Sequence, residues 1–103
     1  MKVLVKEKIA DAGIEKLKEA GFEVVLGYEM SPEELLERIG EYDGLIVRSA
    51  TKVSEEVISR AGNLKVIGRA GIGVDNIDVE AATKRGIIVA NAPQSNIISA
   101  AEH

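Results

Sequence analysis

Short apolar runs alternate along the chain with longer stretches in which apolar residues return every three or four positions. The runs are KVLVK at 2–6, FEVVL at 22–26, DGLIVRS at 43–49, LKVIGRA at 64–70 and IIVAN at 87–91. They are rich in Val, Ile and Leu and show little of the polar alternation of a strand with one wet face. They therefore predict strands buried on both sides, as in a parallel sheet covered by helices.

The stretches between them carry helix signals. DAGIEKLKEA at 11–20 repeats apolar Ile14 and Leu17 at helical spacing, and Gly21 follows where a left-handed helix stop belongs. Ser31-Pro32-Glu33-Glu34 predicts a helix start: the serine caps, the proline suits the first turn, and Glu34 completes a capping box. Leu35, Leu36 and Ile39 then face inward. Ser54 opens a third helix, with Val57, Ile58 and Ala61 apolar and Gly62 as its end. Asp78 caps a fourth, VEAATKR, which Gly86 stops. Ala92-Pro93 breaks the chain, and Ser95 can cap a last helix, NIISAAEH.

Strand and helix in strict alternation predict an α/β fold with right-handed crossovers. Five strands at a spacing of roughly 20 residues favour a flavodoxin-like, doubly wound parallel sheet of order 2-1-3-4-5; half of a Rossmann fold is the competing arrangement. The expected domain is 1–94, with 95–103 the opening of a helix that reaches no stop. That helix is either a frayed terminus or one cut in its course. Its apolar residues Ile97, Ile98, Ala100 and Ala101 form a stripe that predicts self-association, a homodimer through the final helix.

Composition narrows the chemistry. The 103 residues suit one domain, and a net charge of −4 with no basic stripe argues against nucleic acid. Without cysteine there is no disulfide, zinc–thiolate site or thiol nucleophile. The single histidine, His103, is the last residue, so no histidine-based metal site is expected. No apolar run approaches the ~20 residues of a membrane span, and the chain opens on a strand rather than a signal peptide, so the expected location is the cytoplasm.

GRAGIGVDN at 68–76 invites comparison with the dinucleotide fingerprint, G-x-G-x-x-G between strand and helix with an acid about 20 residues on. Gly71 and Gly73 supply two glycines, but Asn76 holds the third place, the helix begins late at Asp78, and VANAP stands where the acid belongs. The loop is then either an anion-binding turn built from backbone amides or a tight turn needed for packing. In an open parallel sheet ligands bind beyond the carboxyl ends of the strands. Strand three ends there in Arg48-Ser49-Ala50-Thr51, strand four in Gly71-Ile72-Gly73, and strand one in Lys6-Glu7-Lys8. Arg48 offers a planar fork for carboxylate or phosphate, Ser49 and Thr51 add hydroxyls, and the rim has no evident anionic wall. The expected guest is a small anion; the alternative for Arg48 is an ion pair with a neighbouring acid. No catalytic set is visible, since no residue of this rim is an evident base titrating near neutral pH.

LIVRSATKVSEEVI, VIGRAGIGVDNIDVEAATKRGIIVANAP and SNIISAAEH together resemble the NAD-dependent D-2-hydroxyacid dehydrogenases over essentially the whole chain. The resemblance implies a substrate-binding domain, with a partner Rossmann domain, a returning segment and the catalytic arginine, glutamate and histidine all beyond residue 103. It implies that Arg48, Ser49, Thr51 and the amides of Gly71, Ile72 and Gly73 meet a small anionic substrate of the 3-phosphoglycerate type. It places Ile72 and Asn96 near NAD in a complete enzyme, and His103 in the linking helix rather than in catalysis. This chain alone would bind no cofactor and turn nothing over. The alternative is a free-standing module that binds a small anion or serves assembly.

Overall fold

A computed structural model describes residues 1–70 and 76–92. The element order is β1 (Lys2–Val5), α1 (Asp11–Glu19), β2 (Glu23–Leu26), α2 (Pro32–Arg38) with a 3-10 turn at Ile39–Glu41, β3 (Gly44–Val47), α3 (Glu55–Arg60), β4 (Val66–Ala70), α4 (Val79–Lys84) and β5 (Ile88–Ala92). All five strands are parallel, in the order β2-β1-β3-β4-β5. This is the flavodoxin-like order expected from the spacing of the runs, and the Rossmann alternative falls. Residues 95–103, with the apolar stripe of the final helix and His103, lie outside the described residues.

Strand side chains alternate between two buried layers, as a pleated strand requires. Leu4, Leu45, Val47 and Ile67 point to one side, where Leu35, Ile39, Val57, Ile58 and Ala82 from α2 to α4 cover them. Val3, Val5 and Ile46 point to the other, where Ile14 and Leu17 of α1 pack. The central strands are thus dry on both faces. The edge strands are not: Leu26 in β2 is 50% exposed and Ile88 in β5 is 46% exposed. An unbroken apolar run reads as doubly buried, but the order of the sheet leaves these two runs with one neighbour each.

Local chemistry sets the helix ends. Ser31, Ser54 and Asp78 accept from the amides of Glu34, Val57 and Ala81. The Glu34 carboxylate does not close the capping box; it turns to Arg38, 3.5 Å away. Gly21 and Gly86 hold positive φ, 91° and 76°, as left-handed stops do. Gly62 is different: α3 ends at Arg60 and Ala61 caps it.

Candidate functional site

The register of the sheet builds the rim. Val5 pairs with Ile46, and Ile46 with Gly68. Two residues beyond that level, Glu7 and Arg48 therefore leave adjacent strands side by side. The backbone after β3 turns away from the sheet at 48–51 and exposes N–H groups that no strand partner can take, so they need another acceptor.

Glu7 supplies it. One carboxylate oxygen, Oε2, accepts from the amides of Arg48 at 2.5 Å and Thr51 at 3.1 Å, and Oε1 accepts from Ala50 at 3.0 Å. The Thr51 hydroxyl joins them. Partial burial alone would raise the Glu7 pKa; the Arg48 amide, the Thr51 hydroxyl and the other two amides outweigh it and hold the carboxyl below its ordinary range. The rim thus has an anionic wall, contrary to expectation. Thr51 is buried, and its hydroxyl bonds to Glu7.

The carbonyls of the same turn are met from the other side of the sequence. Asn76 Nδ2 donates to the carbonyls of Arg48 and Thr51, both at 2.6 Å. A short parallel bridge, Val53 to Ile77, continues the contact: the Val53 amide donates to the Asn76 carbonyl at 2.8 Å and the Asp78 amide to the Val53 carbonyl at 2.9 Å. The segment that follows β3 and the segment that follows β4 are therefore joined.

With its backbone groups engaged, the turn presents side chains outward. Arg48 and Ser49 are exposed. The Arg48 guanidinium makes one long bond, Nη1 to the Lys8 carbonyl at 3.4 Å. The ion pair considered as an alternative for Arg48 is not formed among the described residues: the nearby acid, Glu7, takes its backbone amide. Gly71, Ile72, Gly73 and Asn96 lie outside the described residues. Glu7 and Asn76 are the residues that the sequence reading passed over. An acid at the end of β1 was the available signal for Glu7; Asn76 registered only as a missing glycine.

Other chemistry is sparse among the described residues. No three His, Cys, Asp or Glu side chains gather as a metal site, and no helix is long and apolar enough to cross a membrane. A groove of about 290 Å³ between α3 and α4 is lined by Glu55, Asp78, Glu80, Lys84 and Arg85. Its charges are of both signs, with Lys84 and Glu80 paired at 3.3 Å, so it selects no charged guest.

Comparison with known proteins decides the family. The model of the D-isomer specific 2-hydroxyacid dehydrogenase catalytic domain matches residues 3–103. The chain belongs to this family. It is 55% identical to a D-3-phosphoglycerate dehydrogenase of Archaeoglobus fulgidus, matching over 100% of the chain and 20% of that protein. It is 48% identical to the human D-3-phosphoglycerate dehydrogenase, over 98% of the chain and 19% of the relative. The chain thus spans about a fifth of the length of these relatives. Among solved structures, the PH0520 protein of Pyrococcus horikoshii superimposes with a TM-score of 0.83 at 44% identity, covering 87% of this chain and 27% of that one. An NAD+-bound 3-phosphoglycerate dehydrogenase of Entamoeba histolytica superimposes with a TM-score of 0.76 at 41% identity, covering 88% and 32%.

NAD is therefore a cofactor found in the family. The described rim does not fit it: the amides of Arg48, Ala50 and Thr51 that could meet a pyrophosphate already hold the Glu7 carboxylate.

Proposed function

We propose that this chain supplies the substrate-anion half of an NAD-dependent D-3-phosphoglycerate dehydrogenase, the enzyme that oxidises 3-phosphoglycerate to 3-phosphohydroxypyruvate at the entry to serine biosynthesis. Arg48 and Ser49 meet the anionic groups of the substrate, and the amides of Gly71, Ile72 and Gly73 receive its carboxylate. NAD approaches on the side of Ile72 and Asn96. Residues 1–94 form the binding domain, and 95–103 begin the helix that leads to the dinucleotide domain.

The supporting observation is the division of labour at 48–51. Glu7 and Asn76 take up the main chain of the turn, while the Arg48 guanidinium and Ser49 hydroxyl stay exposed at the carboxyl ends of the strands. A planar guanidinium there pairs with carboxylate or phosphate through two parallel bonds. The names of the relatives, at 48% to 55% identity, support 3-phosphoglycerate as that anion. The chain alone performs no oxidation. A base for the hydroxyl proton works best with a pKa near neutral pH, whereas the Glu7 carboxyl is held below its ordinary range with its oxygens engaged by three amides and a hydroxyl, which makes it a weak base.

Calorimetric titration with 3-phosphoglycerate tests the reading. The chain is expected to bind with a dissociation constant on the order of 1 mM, and Arg48→Ala to weaken binding about tenfold or more. Equal affinity in the variant contradicts it. Mixed with 3-phosphoglycerate and NAD, the chain is expected to produce no NADH; measurable NADH contradicts the assignment of chemistry to other residues.

A further inference from the structure

Resting on that reading, we propose that Glu7 and Asn76 are positioning residues of the anion site: one carboxylate and one carboxamide fix the turn 48–51, and with it Arg48 and Ser49, against the segment at 76–78.

The two side chains grip the same residues through complementary groups. At Arg48, the N–H goes to Glu7 and the carbonyl accepts from Asn76. At Thr51, the N–H again goes to Glu7 and the carbonyl again accepts from Asn76. Between them, the Ala50 amide is held by the second oxygen of Glu7. A turn whose first and last residues are each bound at both backbone groups has little freedom to swing its side chains. Preorganisation of this kind lowers the ordering cost of binding.

Asn76 has a second consequence. It stands next to the Val53–Ile77 bridge, so its two bonds tie the segment at 76–78 to the Arg48 turn. An anion with two charged groups needs the Arg48 guanidinium and the Ser49 hydroxyl at a fixed separation. Asn76 meets this need at a cost, because its Oδ1 is buried and finds no partner among the described residues. An orphaned buried acceptor is unfavourable, and an apolar residue of similar size avoids it. What that residue loses is the bridge.

The proposal also assigns a charge role. Glu7 stands beside a site for anions, and a negative neighbour should repel the ligand. Here the carboxylate charge is spread over three amides and a hydroxyl, which leaves the guanidinium of Arg48 with its long bond to Lys8 among the described residues. Glu7 orders the site without forming an ion pair with the arginine.

The test compares two ligands on the same chain by calorimetry: 3-phosphoglycerate, whose two anionic groups need Arg48 and Ser49 held together, and inorganic phosphate, which needs only the guanidinium. Glu7→Gln replaces one acceptor oxygen by a donor facing the amides. It is expected to weaken 3-phosphoglycerate about tenfold while changing phosphate affinity much less, and Glu7→Asp, which keeps two acceptor oxygens, is expected to recover part of the loss. Asn76→Ala is expected to show the same split and carries the test if Glu7→Gln does not fold. Equal losses for both ligands, or wild-type affinity in a folded Glu7→Gln chain, overturn the positioning role while leaving the anion site itself intact. A wild-type chain indifferent to 3-phosphoglycerate, or an Arg48→Ala chain of unchanged affinity, overturns the anion site and the positioning role together.

Discussion

Two carboxylates sit at opposite ends of the same sheet, and both titrate below their ordinary range for different reasons. Asp43 precedes β3 at the amino end. It accepts from the Lys2 amide at 2.8 Å and from Lys65 Nζ at 3.3 Å, and the amide bond is the larger cause of its lowered pKa. Lys2 also lies 5.1 Å from the Tyr42 ring centre. Glu7, at the carboxyl end, has no cation as its partner among the described residues: amides and a hydroxyl stabilise it. At the amino end a lysine side chain joins a backbone amide on the acid. At the carboxyl end amides and a hydroxyl hold the acid, and the rim's arginine forms no ion pair with it. On the proposed function, the difference separates an end of the sheet that is only held together from an end that receives a ligand.

The first way to sharpen this contrast is to remove each acid. Glu7→Gln is expected to destabilise the fold by about 1–2 kcal/mol, since it leaves amide donors facing a donor. Asp43→Asn is expected to cost about 1 kcal/mol or less, because its lysine partner is largely exposed and such pairs are weak. Urea unfolding of the two variants measures both, and a reversed order breaks the contrast.

Acid is the second lever. Both groups have depressed native pKa values, so each contributes stability above its unfolded pKa, near 4, and loses it as pH falls through the lower native value. The chain should therefore weaken on acidification below about pH 4. Glu7→Gln is expected to flatten this limb more than Asp43→Asn does. The readout is the urea midpoint across a pH series.

The smallest effect is that of salt. At about 1 M salt the screening length falls to roughly 3 Å, so the Asp43–Lys65 contribution, a few tenths of a kcal/mol, should vanish. The Glu7 contribution should survive, because close hydrogen bonds are screened little. A double comparison of Lys65→Ala and Glu7→Gln at low and high salt resolves the two.

Much of the fold was legible because its signals are local. Ser31, Ser54 and Asp78 act on amides three residues ahead, and Gly21 and Gly86 act on their own φ angles. The apolar runs also gave the strands, although they could not tell edge from centre: Leu26 and Val47 look alike in sequence and differ entirely in burial. At the candidate site Arg48 and Ser49 are exposed at the end of β3, and their place there was legible from the apolar run that precedes them. Glu7 was not, because its partners are backbone amides 41 to 44 positions away, and an amide leaves no mark in a sequence. Asn76 was hidden for the same reason, since its partners are carbonyls. The bond from the Thr51 hydroxyl to Glu7 was hidden too, because only the fold shows which way that hydroxyl turns.

The most direct measurement of the central claim is a backbone and arginine-side-chain NMR titration of the chain with 3-phosphoglycerate. The account predicts that the Arg48 guanidinium signal moves with ligand while the Ala50 and Thr51 amides, already bound to Glu7, stay in place. Large shifts at Ala50 and Thr51, with Arg48 unmoved, would mean that the ligand displaces Glu7 from the turn, and would contradict it.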